Sequence, residues 1–109
     1  MEPEACIVIV TVDAPLELMP ALAAHAQLGI DRFPEFPGFR SGTLHVSGDG
    51  TRLVQYLVWA SEAQYEHSIQ DPTWEDLPST THFMELMEGP DVHVDARAYL
   101  VRNRSEGAG

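Results

Sequence analysis

The chain has 109 residues, enough for one domain with one modest core and not for a second. Its formal charge of -11, with no lysine and six arginines, argues against a nucleic-acid backbone or an anionic membrane surface as partner, since both are bound by clustered basic groups. A lone cysteine excludes an intramolecular disulfide, and the apolar neighbours of Cys6 make it a small core residue rather than a reactive thiol.

The chain opens on a β-branched run, Ala5 to Val12, apolar at both parities, which is the pattern of a strand buried on both faces. Asp13 to Pro15 then gives a helix start, and Leu16, Met19, Ala23, Ala26 and Ile30 recur at roughly helical spacing up to Phe33. Pro20 belongs in the first turn or at a kink, because inside a helix it would cost about 3 kcal/mol. Pro34 and Pro37 bracket the loop that leads to a hairpin.

The hairpin strands span Gly38 to Ser47 and Thr51 to Ala60. Phe39, Ser41, Thr43 and His45 share one face of the first; Leu53, Gln55, Leu57 and Trp59 share one face of the second. A three-residue loop of Asp49, Gly50 and Thr51, with Gly50 left-handed, sets residues of equal parity opposite each other. His45 is then expected to face Gln55, and Ser41 to face Trp59.

Ser61-Glu62-Ala63-Gln64 has the spacing of a capping box, so a helix starts at once and carries Tyr65 and Ile69 along one face to Asp71-Pro72. Asp71 can cap a second short helix opened by Pro72. Ser79 can cap a third piece that turns Phe83, Leu86 and Met87 inward and stops at Gly89-Pro90. The last strand covers Asp91 to Val101. One domain is expected over 1–102, with 103–109 as a disordered tail. No basic leader and apolar stretch precedes the first strand, and no segment reaches the ~20 apolar residues of a membrane span, so a cytoplasmic location is expected.

The order strand, helix, strand, strand, helix, strand is that of an α+β, ferredoxin-like fold, an antiparallel four-stranded sheet with helices on one face. The other face would leave Val54, Tyr56 and Val58 in water, an apolar patch that a second copy of the chain would cover. A homodimer, a dimeric α+β barrel, is expected.

Four residues of the central stretch carry chemical interest. Gln55, on a face with Leu53 and Leu57, is either an amide satisfied inside a cavity or a rim residue. Trp59 either packs under the helices or offers its indole N–H to a ligand. His45 is a solvated strand residue or a proton shuttle, and Tyr65 a core ring or a donor. His25, His67, His82 and His93 show no cysteine or carboxylate at ligand spacing, so no metal site is expected. Serine, histidine and aspartate occur without a nucleophile elbow.

Taken together, Phe36-Pro37-Gly38-Phe39, His45, Asp49-Gly50-Thr51, Tyr56 with Trp59, Ser61-Glu62, Tyr65 and Asp71-Pro72 resemble the antibiotic biosynthesis monooxygenase family. The similarity is greatest to its small dimeric oxygenases of aromatic polyketide pathways, which turn anthrone or naphthacenone substrates into quinones with dioxygen, without metal or flavin. The resemblance implies no cofactor and a pocket between sheet and helices. By position, His45, Gln55, Trp59 and Tyr65 would be its catalytic residues, and Phe39, Leu57, Phe83 and Met87 would line the substrate site. The family has asparagine where this chain has Gln55. Members can also carry an arginine on the helix after the Asp-Pro, whereas this chain has none between Arg52 and Arg97. A haem-degrading branch of the superfamily uses asparagine, tryptophan and histidine, yet the one asparagine here is Asn103. The alternative from another class is a cofactorless polyketide cyclase, or a non-catalytic protein that holds a polycyclic intermediate.

Overall fold

The β-branched run at the start of the chain becomes the inner strand of a sheet because it can bury either face. In the computed structural model, which describes residues 5–76, 84–86, 88–102, 105 and 107, this strand is β1 (Cys6–Asp13). The chain continues through a 3-10 turn (Leu16–Leu18), α1 (Met19–Arg32), β2 (Phe39–Val46), β3 (Arg52–Trp59), α2 (Glu62–Ile69), a 3-10 helix (Pro72–Asp76) and β4 (His93–Leu100). The sheet is antiparallel with order β2-β3-β1-β4. This is the ferredoxin-like arrangement read from the order of elements. The expected tail at 103–109 falls largely outside the described residues. No helix among the described residues is long and apolar enough to cross a membrane.

Local chemistry sets the element ends. A helix running on from Leu16 would need an N–H at position 20 for the Leu16 carbonyl, and Pro20 has none; the Met19 N–H takes that carbonyl in a 3-10 turn instead, and α1 starts with Pro20 in its first turn. Ser61 caps α2, its Oγ accepting from the Gln64 N–H at 3.2 Å. Asp71 opens the following 3-10 helix by accepting from the Thr73 N–H at 2.8 Å.

Helix α1 buries Met19, Leu22, Ala26 and Ile30 against one face of the sheet. Two clusters result. Val12, Leu53, Met19 and Leu22 anchor the first; Cys6, Val8, Leu57, Trp59, Ile30 and Phe33 form the second. The opposite face carries Ile7, Ile9, Val54, Tyr56, Val58 and Tyr99, with Tyr56 41% and Tyr99 44% exposed.

The hairpin register differs from the expected one. Ser47 donates its N–H to the Arg52 carbonyl at 2.8 Å, so the loop holds four residues, Gly48 to Thr51, rather than three. Asp49 makes this loop stable: its Oδ1 accepts from Ser47 Oγ at 2.6 Å, Thr51 N at 3.0 Å and Thr51 Oγ1 at 2.7 Å. Those hydrogen bonds hold its carboxyl down to about 2. Gly50 is left-handed, as expected, with φ 75°. The added residue pairs Leu44 with Gln55 and His45 with Val54, inverting the expected faces of β2. A bulge at Arg40 then restores Phe39 to a position opposite Trp59, while Ser41 pairs with Val58.

Candidate active site

The inner face of β3 reads Leu53, Gln55, Leu57, Trp59, and burial along it is uneven. Leu53 and Leu57 are 1% exposed and Trp59 is fully buried, yet Gln55 between them is only half-buried. Its neighbours Val10 on β1 and Leu44 on β2 are half-buried too, and both pack at the margins of the two core clusters. Val10 and Leu44 thus join the two clusters on either side of Gln55. Gln55 is the one polar side chain of the four on this face of β3.

Trp59 stands at the end of this face, enclosed by rings. Its ring meets Phe39 at 5.1 Å and Phe33 at 5.5 Å, both edge-on, and Tyr65 at 5.9 Å. Phe33 comes from the turn after α1, Phe39 from the bulged start of β2 and Tyr65 from the first turns of α2. The indole is thus fixed from three directions. Its Nε1 is nonetheless a buried donor with no hydrogen-bond partner among the described residues. Burial first, then the charges of Cys6 and Glu66, raises the Tyr65 hydroxyl above its usual range, so it is a protonated donor at neutral pH and not a base. Cys6, paired across the sheet with Trp59, is fully buried; burial and then Glu62 and Glu66 push its thiol up, in keeping with a core role.

His45 does not join this group. The four-residue loop turns it to the uncovered face, where it is exposed and its Nε2 lies 2.9 Å from Thr43 Oγ1. Phe39 reaches the inner face only through the bulge, and Leu57 is buried between Gln55 and Trp59. Phe83 and Met87 lie outside the described residues. Among the described residues, no three of His, Cys, Asp and Glu come together as a possible metal cage.

The sequence reading missed a clasp behind the site. Trp74 stacks with Phe36 at 5.8 Å and meets Phe33 edge-on at 5.5 Å, while the Arg32 guanidinium lies 4.3 Å from the Trp74 ring centroid and 5.3 Å from that of Phe36. Arg32 also donates to Thr73 Oγ1 and lies 3.9 Å from Asp71. The signal was the aromatic run Phe33, Phe36, Phe39 beside an arginine, which reads as core without the fold.

No family model matches the chain. Over 46 residues it is 41% identical to the tetracenomycin-F1 monooxygenase of Streptomyces glaucescens, a match covering 42% of this chain and 41% of that protein, so it spans less than half the length of this curated relative. The monooxygenase from the gene ActVA-Orf6 of Streptomyces coelicolor, solved in complex with the ligand nanaomycin D, superposes with a TM-score of 0.75 at 27% identity over 96% of this chain and 94% of its own. The chain is thus similar to these monooxygenases in sequence over 46 residues and in fold over nearly its whole length. SnoaB, a cofactor-independent oxygenase from Streptomyces nogalater, shares the fold at a TM-score of 0.66 and 18% identity over 94% of this chain and 97% of that one. Of the residues singled out in the sequence, Trp59 and Tyr65 are in contact, Gln55 shares the face of β3 that carries Trp59, and His45 lies on the other face.

Proposed function

We propose that the chain is a cofactor-independent monooxygenase that uses dioxygen to convert a polycyclic aromatic phenol of the anthrone type into a quinone. One observation carries the reading: the buried Trp59 N–H that no described residue accepts. An unmatched buried donor costs about 1 to 3 kcal/mol, which a ligand oxygen would recover.

Hydrogen bonds from Trp59 and the Gln55 amide to substrate oxygens would favour the ionised phenol, spreading negative charge onto the reacting ring carbon. That carbon passes its electron pair to dioxygen and a C–O bond forms. Tyr65, half-buried and protonated, would supply the proton that makes a hydroperoxide. Loss of the second C–H proton with cleavage of the O–O bond leaves a carbonyl and water. The substrate methylene supplies all the electrons, so a CH2 group and one dioxygen become a C=O group and one water. The apolar wall of Phe33, Phe39 and Leu57 would exclude bulk water and orient the rings. His45, on the uncovered face, has no step in this scheme.

The working unit in this reading is a homodimer. The uncovered sheet face carries Ile7, Ile9, Tyr56, Val58 and Tyr99, and its ionic groups pair off, Arg52 with Asp13 at 2.6 Å and Arg97 with Asp95 at 3.1 Å. A charge-balanced face on a chain of net charge -11 is the surface on which two acidic copies can approach.

The test is dioxygen uptake with an anthrone and a tetracenone in metal-free buffer, on protein whose mass in solution is measured by sedimentation. Uptake with one water formed per quinone is expected, on a particle of twice the chain mass. Ring closure or tight binding without uptake would instead select the cyclase or carrier alternative. Gln55→Asn, which shortens the amide by one methylene to the family's residue, is expected to keep or raise uptake.

A further inference from the structure

Helix α2 turns a different residue inward from the one its spacing predicts. Tyr65 is half-buried, but Ile69 one turn later is 49% exposed, and Ser68 before it is fully buried, the one polar residue so enclosed among the described residues. A buried hydroxyl must be matched by a hydrogen bond, and serine is a poorer helix former than alanine, so alanine would fill this position more simply. The hydroxyl needs a reason of its own.

Ser68 uses two polar groups, and they serve different neighbours. Its carbonyl would ordinarily accept from the N–H four residues on, but that residue is Pro72, which has none. The Trp74 indole takes the place, donating at 2.7 Å beside the Asp71 N–H at 3.3 Å. An alanine would offer Trp74 the same carbonyl. The hydroxyl donates instead to the Tyr65 carbonyl at 2.6 Å, one turn back along the helix, and has no other partner among the described residues. Such a bond fixes the serine rotamer and bends the turn it spans.

Tyr65 is the residue that requires a tether. Aromatic pairs favour stacked or edge-on arrangements, and Phe39 and Phe33 meet Trp59 edge-on at 73° and 84°, whereas Tyr65 lies at 55°, between the two. Ring packing alone does not select that tilt. The start of α2 is fixed by the Ser61 cap and by Gln64, whose side chain lies so close to Gly38 that a Cβ there would collide with it. Ser68 holds the helix on the other side of Tyr65.

We propose that Ser68 is a positioning residue, its hydroxyl holding the turn of α2 that carries Tyr65 so that the phenol ring keeps its tilted place against Trp59. This rests on the function proposed above, in which Tyr65 delivers a proton, and adds the residue that sets where the proton is delivered from.

Nuclear magnetic resonance of the two indole N–H groups tests this, since Trp59 lies beside the Tyr65 ring and Trp74 reports on the Ser68 carbonyl. In Ser68→Ala the Trp59 resonance is expected to shift with the changed ring current of Tyr65, while that of Trp74 stays. Turnover of an anthrone should fall about tenfold or more at unchanged KM, because the proton is needed in the transition state and not for binding. Ser68→Cys, similar in shape with a weaker donor, is expected to fall between, and carries the comparison should the alanine variant not fold. A Trp59 resonance that stays, or an unchanged kcat in an active protein, overturns the positioning role. Movement of both indole resonances overturns it too, since the serine then supports the whole helix end. Where wild type takes up no dioxygen, a shift of Trp59 alone supports the positioning of Tyr65 and rejects only the oxygenase chemistry.

Discussion

The two tryptophans stand two ring contacts apart through Phe33 and differ in one hydrogen bond. Trp74 donates its indole N–H to the Ser68 carbonyl at 2.7 Å, stacks on Phe36 and lies under Arg32, so every functional group it has is matched within the fold. Trp59 is the more deeply buried, with rings on three sides, and its N–H has no acceptor among the described residues. Two indoles in one aromatic cluster thus separate into a ring whose donor is matched and a ring whose buried donor has no acceptor among the described residues. Burial alone would rank them the other way, since the residue most enclosed by core atoms is the one to which the proposed function gives a chemical role.

Trp59→Phe tests this difference with the largest expected effect. Turnover in the dioxygen assay should fall about 100-fold, the scale for removing one donor from a developing oxyanion. Stability should move little, because the cavity cost of the smaller ring is offset by removing an unmatched donor worth about 1 to 3 kcal/mol. Trp74→Phe should do the reverse: about 1 to 2 kcal/mol lost in chemical denaturation, from the broken bond to Ser68 and the weakened stacking of Arg32, with turnover unchanged. Equal losses of turnover in the two variants would abolish the distinction between the rings.

The smallest effect concerns the neighbour of Trp59. Burial raises the Tyr65 pKa, so above the unfolded value of 10.0 the unfolded chain releases this proton before the folded one does. The contribution is whole below that pH and is lost as pH rises through the folded pKa. Wild type should therefore lose stability on alkaline titration more steeply than Tyr65→Phe. Identical slopes would mean that the Tyr65 hydroxyl is solvated and not enclosed beside Trp59.

Much of the fold was legible because it depends on neighbours along the chain. The Ser61 cap, the confinement of Pro20 to a first turn, the Asp71 start of the 3-10 helix and the left-handed Gly50 each follow from one or two residues and their own backbone. The pattern on β3 was equally legible, since alternation alone puts Gln55, Leu57 and Trp59 on one face. His45 was misread for the same reason that these were read well. Its face depends on how many residues the turn consumes, and Asp49, by holding both Ser47 and Thr51, makes that number four rather than three. Phe39 reached its expected side by a second irregularity, the bulge at Arg40, which alternation does not encode.

The order of elements, the sheet-and-helix class and the identity of the polar residues on β3 were all set by the amino-acid sequence, because periodicity and capping act over a few bonds. Which of those residues share a space was a matter for the folded chain alone. Folding turned His45 away and brought Phe33, Phe39 and Tyr65 from three separate elements onto Trp59. Those outcomes depend on strand register and on how the helices and turns pack on the sheet. Both are set by contacts between residues far apart in the chain, where one residue more in a turn exchanges the two faces of a strand.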